Sequence, residues 1–250
     1  MTEDTLLNGS VRLFQPLDGL RATLDSVFLA SAVAALPGQR VLELGCGSGA
    51  VSMCLAHRIK EIRIVGLEID RALARLSQDN AHLNKFSDRF EAVVGDLVKP
   101  PPRLAPHSFD HVIANPPYFE PGKNTLPTGM RKAKAHTEGI ASLESWVTFA
   151  VRMSKPGGTL TFIHRSERLA ELLALMSTRT GGILIYPLWS HDPFTDKSKG
   201  AKRVIIQARV GQKGALQLLG GLVLHDADGQ YTPESQAILR NGDALNWVRG

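Results

Sequence analysis

Five short runs rich in β-branched and apolar residues, most of them separated by longer helical patterns, constrain this chain more than any other feature. The runs are Arg40–Leu44, Ile62–Glu68, Phe90–Gly95, Phe109–Ala114 and Thr159–His164. Their nearly continuous apolar character suits strands covered on both faces. Helices are expected over Ala50–Ile59, Asp70–Leu83, Ser142–Met153 and Glu167–Thr178; in the last, Leu169, Leu172, Leu173 and Met176 form one stripe. Asp25 is expected to cap a helix through Leu36, closed by Pro37-Gly38. Such alternation implies an α/β, mostly parallel, doubly wound sheet with right-handed crossovers.

After Gly181 the rhythm changes. Ile183–Leu188 and Val204–Val210 read as two strands joined by a basic loop with no helix between them. Leu216–Leu224 reads as a further strand-like run and Pro233–Leu239 as a short helix. One domain over 1–250 is expected, with an N-terminal strand and helix cover (1–39), a core (40–210) and a C-terminal extension (211–250).

Composition excludes several classes. The longest uncharged apolar run, Val27–Leu36, has 10 residues, half of what a membrane span needs. The N-terminus has neither the basic start nor the apolar block of a secretory signal. Two cysteines, Cys46 and Cys54, make neither a disulfide framework nor a Cys-only zinc site, and the eight histidines show no ligand spacing, so no metal is expected. A cytoplasmic protein is the natural reading.

The first strand runs into Glu43-Leu44-Gly45-Cys46-Gly47-Ser48-Gly49. Glycines there let the chain turn sharply into a helix and let a ligand approach the backbone. A dinucleotide site is the obvious competitor. The spacing is GxGxG rather than GxGxxG, and Glu43 would repel a pyrophosphate while attracting a cationic sulfonium ligand. Glu68 ends the second strand, where a carboxylate can accept two ribose hydroxyls. Asp96 ends the third and could accept from an adenine amino group; Ile69 and Leu97 follow these carboxylates. The pattern resembles the Rossmann-like, class I S-adenosylmethionine-dependent methyltransferases. That resemblance implies a seven-stranded sheet with one antiparallel strand near the C-terminus. It also implies S-adenosylmethionine as cofactor, S-adenosylhomocysteine as product, and Glu43, Gly45, Cys46, Gly47, Gly49, Glu68, Ile69, Asp96 and Leu97 at the cofactor.

The fourth strand ends in Asn115-Pro116-Pro117-Tyr118. The prolines fix a stiff, extended exit. The Asn115 side-chain oxygen and the Pro116 carbonyl can each accept one N–H bond of an exocyclic amine. They would thereby aim its lone pair at a methyl group, while Tyr118 stacks on the base. This segment resembles the methyltransferases acting on adenine N6, guanine N2 or a glutamine amide. Residues 15–25, 131–136, 222–226 and 228–232 carry the resemblance further, to the stand-alone tRNA(Val) adenine-37 N6-methyltransferases. It implies that Asn115 to Tyr118 hold the target base, with Asn115 also beside the cofactor, and that Arg21 and Asp25 close over the methionine end.

The formal charge is +5, from 29 Lys and Arg against 24 Asp and Glu. It is locally concentrated: Lys123, Arg131, Lys132 and Lys134 stand in a stretch without acids, and Lys197, Lys199, Lys202 and Arg203, with Arg209 and Lys213, outnumber Asp192 and Asp196 in a second. With a target base that must be unstacked, both are expected to track phosphates of a tRNA or other structured RNA. Alternatives are methylation of a protein glutamine N5 or ribosomal guanine N2, a small-molecule O-methyltransferase, and a non-catalytic module binding cofactor or RNA.

Overall fold

A computed structural model describes residues 1–19, 21–117, 141–195 and 200–247. Strands β1 (Thr2–Leu6) and β2 (Val11–Gln15) form an antiparallel hairpin of their own. Helix α1 (Leu24–Ser31) follows. Then come β3 (Arg40–Leu44), α2 (Ala50–Arg58), β4 (Arg63–Glu68), α3 (Arg71–Leu83), β5 (Phe90–Val94) and β6 (Phe109–Ala114). The chain continues with α4 (Leu143–Met153), β7 (Ser154–Arg165), α5 (Leu169–Ser177), β8 (Thr180–Trp189) and β9 (Arg203–Val210). Two dipeptide strands, β10 (Gln217–Leu218) and β11 (Leu222–Val223), and a short helix α6 (Pro233–Gln236) follow.

Seven strands lie in the order β5-β4-β3-β6-β7-β9-β8. All neighbours from β5 to β7 are parallel, and β9 runs antiparallel between β7 and β8. This is the expected seven-stranded, Rossmann-like sheet, widened by β10 and β11 pairing along β8. Alternation along the strands explains its burial. Val41, Ile113, Ile163 and Ile205 enter one apolar cluster with α1 and α2. Their neighbours Leu42, Leu44, Val112, Ala114, Phe162 and Ile206 enter a second cluster with α4 and α5. Successive side chains point to opposite faces, so a sheet covered twice needs apolar residues at consecutive positions.

Three local expectations are corrected. Helix α1 stops at Ser31 rather than Leu36, and its N-cap is Thr23, with Asp25 inside the first turn. The stop is tertiary in origin. Arg58 donates to the carbonyls of Ala30 and Val33, and the side chains of Gln207 and Trp247 both donate to the Ala32 carbonyl. Carbonyls that would otherwise need a continuing helix are thereby satisfied. Strand β7 begins five residues earlier than expected, with a register shift against β6. The run Leu216–Leu224 is broken into two dipeptides at Gly221, whose left-handed backbone (φ 82°) departs from the extended strand and lies against the Pro187 carbonyl, where a Cβ would not fit.

The hairpin cover is held by two asparagines one helical turn apart, Asn80 on α3 and Asn84 at its C-terminal cap. Asn80 accepts from Phe14 N at 2.7 Å and donates to Phe14 O at 2.9 Å. Asn84 treats Arg12 in the same way at 2.9 and 2.6 Å. Two side-chain amides thus act as a strand partner for β2.

Candidate active site

The strand order reverses at β3. The chain builds β3, β4 and β5 to one side and then returns to β6 on the other. Ligands of doubly wound sheets bind at the carboxyl ends of the strands flanking such a reversal. Leu44 pairs with Leu67 on one side and with Ala114 on the other. Gly45, Glu68 and Asn115 are therefore abreast at the carboxyl ends of three adjacent strands, which lie about 4.8 Å apart. The register brings together residues 70 positions apart in sequence.

Gly45, Gly47 and Gly49 all have left-handed backbones, with φ of 63°, 54° and 84°, a conformation costly to any residue with a side chain. At Gly45 packing adds a second reason: a Cβ would lie 2.6 Å from Trp146 of α4. Above Gly47 nothing lies within 4 Å of a Cβ position, so the turn is open there. Trp146 is a feature the sequence reading missed, since nothing in its own neighbourhood signals contact with a turn a hundred residues away. Its indole Nε1 is buried and has no hydrogen-bond partner among the described residues, whereas Trp189 donates to Gly220 O and Trp247 to Ala32 O.

The carboxylates at this end are held largely by backbone donors. Glu68 accepts from Gly47 N through Oε2 at 2.8 Å and from Asp70 N through Oε1 at 3.0 Å. It is only 7% exposed, and burial raises its pKa against the opposing effect of those N–H groups. Half-buried Asp96 accepts from Val98 N at 2.8 Å. Leu97 is half-buried and Ile69 is 47% exposed, beside the two carboxylates.

Glu43 behaves differently from the sequence expectation. Strand alternation turns it toward α2, where its Oε2 accepts from both the backbone N and the hydroxyl of Ser52. Burial pushes its pKa up to about 8. Burial thus works against its charge, and its visible contact is the clamp of α2 to the turn. Cys46 is buried in the turn, 3.8 Å from Ser77 Oγ, and burial drives its thiol pKa upward.

Arg21 and Asp25 have other partners. Arg21 donates to Asp4 at 2.6 Å, to Thr2 Oγ1 and to the Pro16 carbonyl, which ties the segment before α1 to the hairpin. Asp25 accepts from Arg203 Nε at 2.9 Å, joining α1 to the start of β9. Asn115 is half-buried, Pro116 buried and Pro117 half-buried. Lys202 is exposed. Tyr118, Lys123, Arg131, Lys132, Lys134, Lys197 and Lys199 lie outside the described residues.

Two further features concern the groups around this row. His164 stands one residue beyond the strand position level with Asn115, fully buried, its Nδ1 accepting from Arg165 N at 2.8 Å. Burial lowers its pKa to about 4, leaving the imidazole neutral near pH 7. Among the described residues no cluster of His, Cys, Asp and Glu could hold a metal ion, and no helix is long and apolar enough to cross a membrane.

Comparisons with known proteins agree with this geometry. A family model described as the methyltransferase small domain matches residues 22–171. A tRNA1(Val) (adenine(37)-N6)-methyltransferase of Porphyromonas gingivalis is 27% identical over 230 residues, covering 86% of this chain and 85% of the relative. The protein of that name from Tolumonas auensis is 26% identical, covering 88% of each. Among solved structures, a predicted O-methyltransferase from Agrobacterium tumefaciens superposes with a TM-score of 0.72 at 26% identity, over 89% of this chain and 98% of the other. A tRNA (m1A58) methyltransferase from Aquifex aeolicus gives 0.57 at 13% identity, over 80% and 73% respectively, a likeness of fold. A match over more than half the length, on the strands that carry the glycine turn and Asn115, means that this chain belongs to the methyltransferase small domain family.

Proposed function

We propose that this protein is an S-adenosylmethionine-dependent N-methyltransferase whose acceptor is the exocyclic N6 amine of an adenine in tRNA. The observation that carries the reading is the register that sets Gly45 between Glu68 on one side and Asn115, followed by Pro116, on the other. A donor pocket and an amine clamp are thereby one strand apart.

The groups present suit the methyl donor. The open turn at Gly47 admits a ligand to the backbone. Glu68, fixed by two N–H donors, keeps lone pairs suited to ribose hydroxyls. Asp96 suits the adenine amino group, with Ile69 and Leu97 as apolar flanks. The Trp146 ring edge packs against Gly45 and fixes the shape of the turn. Arg21 and Asp25 contribute by holding α1 and the segment before it in place. S-adenosylmethionine supplies, when bound, an electrophilic methyl on a sulfonium.

At the acceptor, Asn115 Oδ1 and the Pro116 carbonyl each accept one N–H of the amine. The nitrogen lone pair is drawn out of conjugation and aimed. Tyr118 is assigned to stack on the base. The amine proton becomes acidic only once the new N–C bond forms, and it leaves to water through the same acceptors. No tuned base is needed, and positioning supplies most of the rate.

The named relatives support adenine in tRNA, and the name of the Agrobacterium structure points to an oxygen acceptor instead. Two hydrogen-bond acceptors side by side suit an NH2 group better than a hydroxyl, which has one proton to give. The test is incubation with methyl-labelled cofactor and unmodified bulk tRNA, followed by nucleoside mass spectrometry. N6-methyladenosine is expected. Label entering protein, or 2′-O-methylated ribose, would overturn the assignment.

A further inference from the structure

The same end of the sheet carries an exposed aromatic residue to which the reaction above gives no role. Phe194, in the connection from β8 to β9, is 86% exposed, more than Met1 at 76% or Leu218 at 70%. A ring this exposed, on a braced turn, has a free face on which a planar group can stack. Its backbone is pinned by Asp192, whose Oδ1 accepts from Phe194 N at 2.8 Å and whose carbonyl accepts from Thr195 N at 3.2 Å. The start of the turn is braced by a stack of rings. His191 lies 5.7 Å from His225, and His225 lies 4.8 Å from Tyr231, nearly parallel at 26°. His225 is itself anchored, its backbone N donating to the Ser190 carbonyl at 3.1 Å.

The position of this shoulder follows from the strand register. Leu188 and Arg165 both pair with Arg203, so the ends of β7 and β8 and the start of β9 are abreast. They lie at the end of the sheet that holds Asn115, two residues further out, because Ala114 pairs with Phe162 and Asn115 is therefore level with Ile163. From β6 to β8 is three strand spacings, about 14 Å. The ring is therefore too far to the side to serve the reacting base. It is well placed for a nucleotide next to that base. Lys202 is exposed at the foot of the turn, and the carboxylates of Asp192 and Asp226 are engaged by backbone N–H groups.

We propose that this shoulder is an RNA-docking surface on which Phe194 stacks against an unpaired base flanking the target, with Lys202 on the adjoining phosphate. The inference rests on the RNA reading above and extends it to a second contact. Aromatic side chains beside cations recognise unpaired bases in this way, since every base has a face to stack.

Fluorescence anisotropy with unmodified bulk tRNA tests it, with calorimetric titration of S-adenosylhomocysteine as the parallel measurement. Phe194→Ala is expected to weaken tRNA binding about 5- to 100-fold while leaving the salt dependence unchanged, because stacking releases no counterions. Phe194→Trp should restore affinity. Lys202→Ala should lower the slope of log affinity against log salt by about one. Wild-type tRNA affinity in Phe194→Ala overturns the proposal, as does an equal loss of S-adenosylhomocysteine binding, which would make Phe194 a structural residue. Phe194-dependent capture of a protein partner, with tRNA binding unaltered, also overturns it. Wild-type protein that binds S-adenosylhomocysteine but no tRNA refutes the RNA reading itself, and does so before any variant is made.

Discussion

The two ends of the central sheet use similar residues to opposite effect. At the amino ends, polar side chains satisfy one another. His111, 6% exposed, has Nδ1 2.6 Å from Thr159 Oγ1 and Nε2 2.8 Å from Gln39 Oε1. Lys155 Nζ donates to Asp110 at 2.7 Å, and the same carboxylate accepts from Arg40 N at 2.9 Å. At the carboxyl ends, Glu68 and Asp96 are held by backbone N–H groups of the turns that follow their strands. Side chains that satisfy each other make structure. Carboxylates fixed by backbone donors keep orientation and retain lone pairs for a ligand. The difference separates a polar seam from a site, although both ends are rich in Asp, Glu, His and Gln.

The largest effect that sharpens this contrast is expected at Asn115. Asn115→Ala should cut methyl transfer about 10²- to 10³-fold, the size seen when one preorganised hydrogen-bonding group is removed from a reacting centre. S-adenosylhomocysteine affinity should stay close to wild type. Parallel losses in kinetics and calorimetry would remove Asn115 from the acceptor side.

The second test lies at the opposite end of the sheet and concerns pH. Burial lowers the His111 pKa to about 4 from an ordinary 6.5, so the unfolded chain binds its proton first on acidification. Stability from this residue is complete above about pH 6.5 and is withdrawn as pH falls toward 4, by up to about 3 kcal/mol. His164 acts in the same direction. Glu43 acts oppositely, because its raised pKa withdraws stability as pH climbs from 4.5 to about 8. Thermal melts from pH 4 to 8 should lose less on the acid side in His111→Gln than in wild type. Superimposable profiles would show that the imidazole is not held neutral.

Next in size is Glu68→Gln. Losing a charge-assisted acceptor is expected to weaken S-adenosylhomocysteine about 10- to 100-fold, equivalent to about 1.5–3 kcal/mol. Calorimetry giving an unchanged dissociation constant would reduce Glu68 to a brace for the turn. Smallest is Lys155→Ala at the amino ends, where the lysine side chain is 43% exposed. It should cost less than about 1 kcal/mol of stability and leave both cofactor affinity and turnover alone. A fall in turnover there would erase the distinction between the two ends.

Much of the scaffold is legible before folding. The strands Arg40–Leu44 and Phe109–Ala114 begin and end where the apolar runs do, because strands buried on both faces must be apolar at consecutive positions. Helices α3 and α4 start at Asp70 and Ser142, whose side chains accept from the first-turn N–H groups, a local device readable from local sequence. The end of α1 was not readable. The groups that take its carbonyls come from Arg58, Gln207 and Trp247, as much as 215 residues away. Asp25 has the spacing of a cap and is instead paired with Arg203, 178 residues distant. At the site, the glycines and Glu68 follow from strand-end chemistry. Trp146 over Gly45 and Ser52 beneath Glu43 do not, since neither lies in a motif.

The sequence by itself determined the family, the order of strands and helices, and the residue types at each strand end, because periodicity, capping and glycine turns act over a few residues. Tertiary structure alone decided the register that sets Gly45 between Glu68 and Asn115, and the commitment of Glu43 to α2. It also decided the emergence of Phe194 on the shoulder beside the site. These depend on pairing between distant strands and on which face of the sheet each helix covers, and no short window of sequence holds both partners of such a contact.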